Sequence, residues 1–361
     1  MKKSSVYILA LALLAVAVSA CRKNEPAETG ELISFSADAS AVEDVAATRA
    51  TKTVAKNLTD NPFGVYGVYS SKKDDPTAPN VFDNSSALKV EYNPTSKVWE
   101  YSRTTTSTQT KSKYYWKRNS YYRFRAYHPY SASVETGGSS ADGILINYRI
   151  VEDQYDLLVG FSTRRPNDST TVAAGTDSVR IQFHHALSAL RFRVAFQNSV
   201  DEGTTDVLTE FHITGVMAAG MLKYSHEKGD YLTDSLSWSS DAFDSSHEFY
   251  KYEDATGRTF GVYNPGEASS VEPVDVYGSS DADNVVFAIP QTCSNPQYGN
   301  TVIHFKTTGG GDVDNTAVLP SIKWVPGKIY TYTLLIKRSS VQVVVSIKDW
   351  NEVESTVDIN I

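Results

Sequence analysis

Leu190-Arg191-Phe192-Arg193-Val194-Ala195-Phe196 alternates apolar and mostly polar positions. That is the period-2 pattern of a β-strand with one face against a core. The pattern spreads outward from it in both directions. Upstream, strands are predicted at 63–69, 88–92, 98–101, 114–116, 121–127, 143–148 and 179–183, with Asn93-Pro94-Thr95-Ser96 as a turn between two of them. Downstream, they are predicted at 210–216, 221–224, 285–289, 301–306, 328–337, 341–347 and 353–361. Few windows hold a helical period. Short strands divided by turn clusters point to an all-β chain of two β-sandwich domains in tandem. The break near His184–Ser188 separates an N-terminal domain over 50–185 from a C-terminal domain over 186–361. Residues 225–284, rich in Ser, Asp, Glu and Gly, are expected to form long surface loops.

Composition agrees. The chain has 361 residues, 41% hydrophobic and 21% charged, enough to bury the cores of two ordinary domains. Its 34 Lys and Arg against 42 Asp and Glu leave a formal charge of −8, which argues against nucleic acid or an anionic membrane surface as a partner. The 22 tyrosines against three methionines suit strands facing water more than a helical bundle. Of the two cysteines one ends the leader, so no disulfide framework is expected.

The leader is the sharpest local signal. Lys2 and Lys3 precede an apolar run over 6–18, too short for a permanent membrane helix of roughly 20 residues. It ends in Val18-Ser19-Ala20-Cys21, which has the form of a bacterial lipobox. Residues 1–20 are therefore predicted to be a lipoprotein signal peptide and Cys21 the lipidated residue, with the rest of the chain outside the cytoplasm. In the following segment, 21–49, Ile33, Phe35 and Ala37 would share one face of a strand. A polar linker then leads to Thr48-Arg49-Ala50-Thr51. An arginine among small residues is an easy target for an Arg-specific protease, although any exposed arginine would qualify.

Residues with chemical potential are few. The stretch 111–125 interleaves basic and aromatic residues as a single-strand nucleic-acid groove does. A β-hairpin turning at 117–120 explains the same pattern in an exported acidic protein. His184 and His185 are adjacent, so on a strand they point to opposite faces and cannot chelate together. His226-Glu227 and His247-Glu248 lack the second histidine of a zinc helix. The 309–314 stretch reads as a glycine-rich hairpin tip and Cys293 as a core residue. No G-x-S-x-G elbow is present. No catalytic residue, metal ligand or cofactor is therefore assigned, and the chain is expected not to be an enzyme. An alternative function is a non-polymerising surface lipoprotein that stacks sugar rings on Trp238, Tyr250 and Tyr252.

A set of ordered phrases carries a family resemblance. They are Tyr115-Trp116, then Tyr122-Arg123-Phe124-Arg125-Ala126-Tyr127-His128-Pro129, then Phe183-His184-His185-Ala186-Leu187-Ser188-Ala189-Leu190-Arg191-Phe192. Phe287-Ala288-Ile289-Pro290-Gln291, Leu319-Pro320, Trp324-Val325-Pro326-Gly327-Lys328-Ile329-Tyr330-Thr331-Tyr332 and Asp349-Trp350 follow. Together they resemble the fimbrillin family of Bacteroidetes, the subunits of protease-matured (type V) pili. The resemblance implies a structural fimbrial subunit at the outer membrane and cell surface, held there by its lipid. It implies an Arg-specific protease as a partner, with Arg49 and Ala50 at the cleavage position. The strand of Ile33, Phe35 and Ala37 would then be removed, and a neighbouring fimbrial subunit's terminal strand would fill its place. A host protein or glycan is a candidate ligand. In this chain Val341, Val343, Val345 and Ile347 share one strand face, as do Val353, Val357, Ile359 and Ile361. Either set suits strand addition, in which the backbone supplies affinity and alternate side chains supply register; the alternative for 353–361 is that it closes the chain's own sandwich.

Overall fold

The computed structural model describes residues 32–38, 58–72, 75–82, 87–101, 113–117, 120–130, 134–140, 143–150, 156–164, 178–196, 207–225, 236–244, 248–264, 270–277, 285–295, 299–308, 315–337 and 340–349. These residues form strands and turns, without an α-helix among them. In chain order the first strands are β1 (Phe35–Asp38), β2 (Phe63–Ser70), β3 (Leu88–Asn93), β4 (Val98–Tyr101), β5 (Tyr121–His128), β6 (Val134–Ser140), β7 (Gly143–Arg149), β8 (Leu158–Arg164) and β9 (Val179–His185). There follow β10 (Ser188–Phe196), β11 (Val207–Thr214), β12 (Val216–Tyr224), β13 (Leu236–Asp244), β14 (Phe249–Thr259), β15 (Val274–Asp275), β16 (Val285–Ala288) and β17 (Ser294–Asn295). The last are β18 (Gly299–Asn300), β19 (Val302–Thr307), β20 (Asn315–Val318), β21 (Lys328–Lys337) and β22 (Ser340–Asp349).

The first seven-stranded sheet runs β1-β9-β8-β5-β2-β3-β4. Only β1 is parallel to its neighbour; the other pairs are antiparallel. Side chains on both faces are buried, because alternate positions serve different cores. Phe63, Phe124, Leu158 and Ile181 fill one core, and Tyr66, Tyr127 and Val159 belong to the other. The sheet curls until its edges meet, so that Tyr101 of β4 packs edge-on against Phe35 of β1 with ring centroids 6.0 Å apart.

The chain leaves this sheet at His185 and enters the next at Ser188. There β10, the strand of the opening heptapeptide, pairs with β15 and β16 along one edge and in parallel with β21 along the other; β22 lies beyond β21. A second sheet, β14-β11-β19-β20, packs against it. Phe192, Phe211, Phe305, Trp324, Tyr332 and Val345 fill the space between. The polar positions of β10 are also covered. Arg191 makes two bonds to the Asp275 carboxylate, at 2.6 and 2.7 Å, and Arg193 donates to the Pro273 carbonyl at 2.6 Å. A further sheet, β13-β12-β7-β6, draws two strands from before this junction and two from after it. Ile144, Ile146, Leu222 and Tyr224 pack it over Tyr66 and Tyr127.

The all-β fold and its layered sheets match the sequence reading, and three local expectations do not. Residues 225–284 are not simply loops, since β13, β14 and β15 fall within them. Register shifts in the β11–β14 and β12–β13 pairs, together with positive φ at Tyr250 and Gly257, break the alternation there. Strands β6, β8 and β20 had no predicted counterpart; at β8, Leu157 and Val159 feed one core and Leu158 the other, so no polar face marks it. Residues 114–116 do not form a hairpin with 122–124. Instead Tyr115 bridges to Leu32, because the rings of Tyr114 and Trp116 pack on Phe82, Tyr122 and Phe124.

Candidate functional site

The N-terminal strand β1 has a defined seat. Ile33 and Phe35 are 1% and 3% exposed and Ala37 is half-buried, all in the core of the seven-stranded sheet. Phe35 lies edge-on to Phe124, with centroids 5.6 Å apart, and tilted against Phe82 at 6.3 Å. The strand pairs along β9, with Phe35 opposite Val179 and Asp38 opposite Gln182. Val179 N donates to Ser34 O at 2.7 Å, and Ser178 Oγ to Ser36 Oγ at 3.0 Å. Burying Ile33 and Phe35 is worth about 2–3 kcal/mol each. Their loss would uncover a strip of Phe82, Phe124, Val179 and Ile181.

At the other end of the chain, β22 pairs with β21 from Lys328↔Asp349 to Lys337↔Ser340. Val345 is buried, and Val341, Val343 and Ile347 pack partly against the same core. This face therefore covers the chain's own sandwich. The outer edge of β22 has no strand paired to it among the described residues. Cys21, Arg49, Ala50, Val353, Val357, Ile359 and Ile361 lie outside the described residues, as do His226, His247 and the 309–314 turn.

The remaining candidates have structural partners. His185 Nδ1 lies 2.5 Å from Asp156 Oδ2 in the interior. Burial raises the Asp156 carboxyl above its ordinary range, with His185 pulling the other way. Cys293 Sγ is 3.8 Å from the Tyr332 hydroxyl, and burial pushes the thiol up to about 12, far from a reactive thiolate. The three rings of the sugar-stacking alternative are engaged by the fold. Trp238 Nε1 donates to Ala186 O at 3.1 Å, Tyr250 OH to Phe287 O at 2.7 Å, and Tyr252 OH to Asp254 at 3.3 Å. Each ring also packs against a core.

Sequence reasoning missed Tyr101 and Tyr114 as neighbours of β1. Tyr101 OH donates to Ile33 O at 2.9 Å, and Ile33 N donates to Tyr114 O at 2.8 Å. The interleaved aromatics of 111–125 were the one signal, but alternation cannot say that their partner lies some eighty residues upstream.

A family model described as fimbrillin-like matches residues 48–350 of the chain. No curated protein matches the sequence. Among solved structures, a fimbrial protein from Bacteroides vulgatus superposes with a TM-score of 0.50 at 14% identity, over 89% of this chain and 99% of that one. A protein assigned to cell adhesion from Bacteroides ovatus gives 0.49 at 14%, over 91% and 100%. One from Bacteroides uniformis gives 0.46 at 15%, over 90% and 100%. At such identities the likeness to the Bacteroides vulgatus protein is one of fold.

Proposed function

The chain belongs to the fimbrillin-like family, a family of structural fimbrial subunits, and from that premise we propose that it is a surface subunit assembled by β-strand exchange. Cys21 carries the lipid that anchors it at the outer membrane. An Arg-specific protease cuts between Arg49 and Ala50, and β1 is then held by non-covalent contacts alone. Once β1 leaves, the uncovered strip takes the terminal strand of a neighbouring subunit. The donor is β22, through Val341, Val343, Val345 and Ile347, or the segment of Val353, Val357, Ile359 and Ile361. For the segment of 353–361, burying four such side chains at about 2 kcal/mol each gives about 8 kcal/mol before ordering costs, whereas β22 would first have to leave its own sandwich. The working division of the chain is 50–185 as acceptor and 186–361 as donor.

The observation that supports this reading most is the position of β1. It precedes Arg49 in the chain, yet it fills the core of a sheet whose other strands all follow that arginine. A single cut between them converts an intramolecular strand into an exchangeable one.

The test is limited Arg-specific proteolysis of the chain beginning after Cys21, read by intact mass and by unboiled gel. The expected result is a product starting at Ala50 together with a ladder of stable multimers. A product starting elsewhere removes Arg49 from the mechanism. Monomers that start at Ala50 remove self-assembly and leave an anchor or tip role.

A further inference from the structure

We propose that Tyr101 and the 113–117 segment form a clasp that controls how readily β1 leaves its seat. This rests on the reading of β1 as the removable strand. It adds which groups hold that strand.

The strand is four residues long and has a ladder with β9 alone; β4 approaches its opposite edge through side chains, without a strand ladder among the described residues. A ladder that short, on one side only, is weak on its own. Its N-terminal end is held differently. Both backbone groups of Ile33 are occupied: the amide donates to Tyr114 O at 2.8 Å and the carbonyl accepts from Tyr101 OH at 2.9 Å. Tyr114 N in turn donates to Tyr101 OH at 3.4 Å, closing a ring of bonds around one residue. Leu32 adds an antiparallel bridge to Tyr115.

The same two tyrosines hold the side chains. The Tyr101 ring lies edge-on to Phe35, and the Tyr114 ring packs on Phe82 at 4.9 Å, which itself touches Phe35. At the end nearer in sequence to Arg49, the backbone of Asp38 lies opposite Gln182 in the β9 ladder. The ring of bonds at Ile33 therefore limits the opening of the whole strand. An incoming strand gains the apolar strip once the clasp opens.

Hydrogen exchange on the uncut full-length protein in mild detergent reads the clasp directly. Three forms are compared: wild type, Tyr101→Phe, and Tyr92→Phe, whose tyrosine packs on Trp99 of the same sheet. Loss of the hydroxyl should speed exchange at 33–38 about two- to tenfold, the equivalent of one hydrogen bond. Strands β2 and β5 should be unchanged, and Tyr92→Phe should match wild type. Unchanged exchange at 33–38 in Tyr101→Phe overturns the clasp. So does an equal acceleration in β2 and β5, which would mean general loosening. Multimer formation after cleavage tests the assembly reading separately; if wild type forms none, faster exchange at 33–38 still establishes the clasp.

Discussion

The Gln291 side chain accepts the Met217 amide proton at 2.6 Å and donates to the Gly215 carbonyl at 3.1 Å, which Thr301 Oγ1 also reaches at 2.8 Å. Gly215 turns β11 into β12 with φ of 73°, and a Cβ there would lie 2.3 Å from the Asn300 carbonyl oxygen. The phrase Phe287–Gln291 thus ends in an amide that serves this turn from a distant segment. Gln291→Ala should lower stability by about 1–2 kcal/mol, because it leaves a part-buried amide without its acceptor; urea midpoints would show it. His128 is another residue whose surroundings dominate. Burial pushes its imidazole down to about 4 from an ordinary 6.5, so the folded state resists the proton that the unfolded chain accepts. Stability should therefore be full above pH 6.5 and fall as pH drops towards 4, by about 3 kcal/mol in total. The difference between wild type and His128→Phe, followed by denaturant midpoint from pH 7.5 to 4.5, isolates this ring. Asp156 has the opposite sign, since its raised carboxyl favours the folded state as pH falls.

Strand β1 is the element whose chemistry matters most. Ser34 and Ser36 face away from the apolar strip that Ile33 and Phe35 fill, so the sequence of this strand encodes its face, though not its partner. A synthetic peptide covering residues 30–40 should occupy the seat in cleaved protein and suppress the multimer ladder. The same peptide with Phe35→Ala should be about a hundredfold weaker or more, since losing a buried ring costs roughly 3 kcal/mol or more. Equal potency of the two peptides, measured by titration on unboiled gels, would mean that this seat is not where assembly occurs. Other elements were legible to different degrees. The β3–β4 hairpin could be read in full because its turn is local: Asn93 Oδ1 accepts from Thr95 N and Ser96 N at 3.0 and 3.2 Å. The segment 114–116 could not, because its rings pack into a core built from strands far away in the chain.

For the molecule as a whole, the proposed acceptor and the proposed donor strand β22 lie in different sheets. The strip under β1 belongs to the seven-stranded sheet, and β22 belongs to the sheet of β10 and β21. Under the proposed exchange, one subunit would give and receive through separate sheets, a head-to-tail contact that need not close. Because β22 is fully paired with β21, a cleaved chain ending at Asp349 should keep its thermal midpoint within a few degrees of the full chain. It should also form no ladder if the segment beyond 349 starts the exchange. A ladder that persists would assign donation to β22 itself. The sheet β13-β12-β7-β6 and its core of Ile144, Ile146, Leu222 and Tyr224 join the two regions, so loss of β1 need not unfold the remainder.

Alternation at 190–196, 328–337 and 341–347, the Asn93–Ser96 turn and the buried face of 33–37 could all be determined from the sequence, because each records one-sided burial or a local hydrogen bond. Only the tertiary structure revealed β8, whose two faces serve two cores, and the bulged strands β13 and β14. It alone decided the parallel pairings of β1 with β9 and of β10 with β21, and the tie from Ile33 to Tyr101. The physical reason is the same in each case. A period-2 pattern reports that a side chain is buried, while its partner is chosen by packing between segments that no local pattern connects.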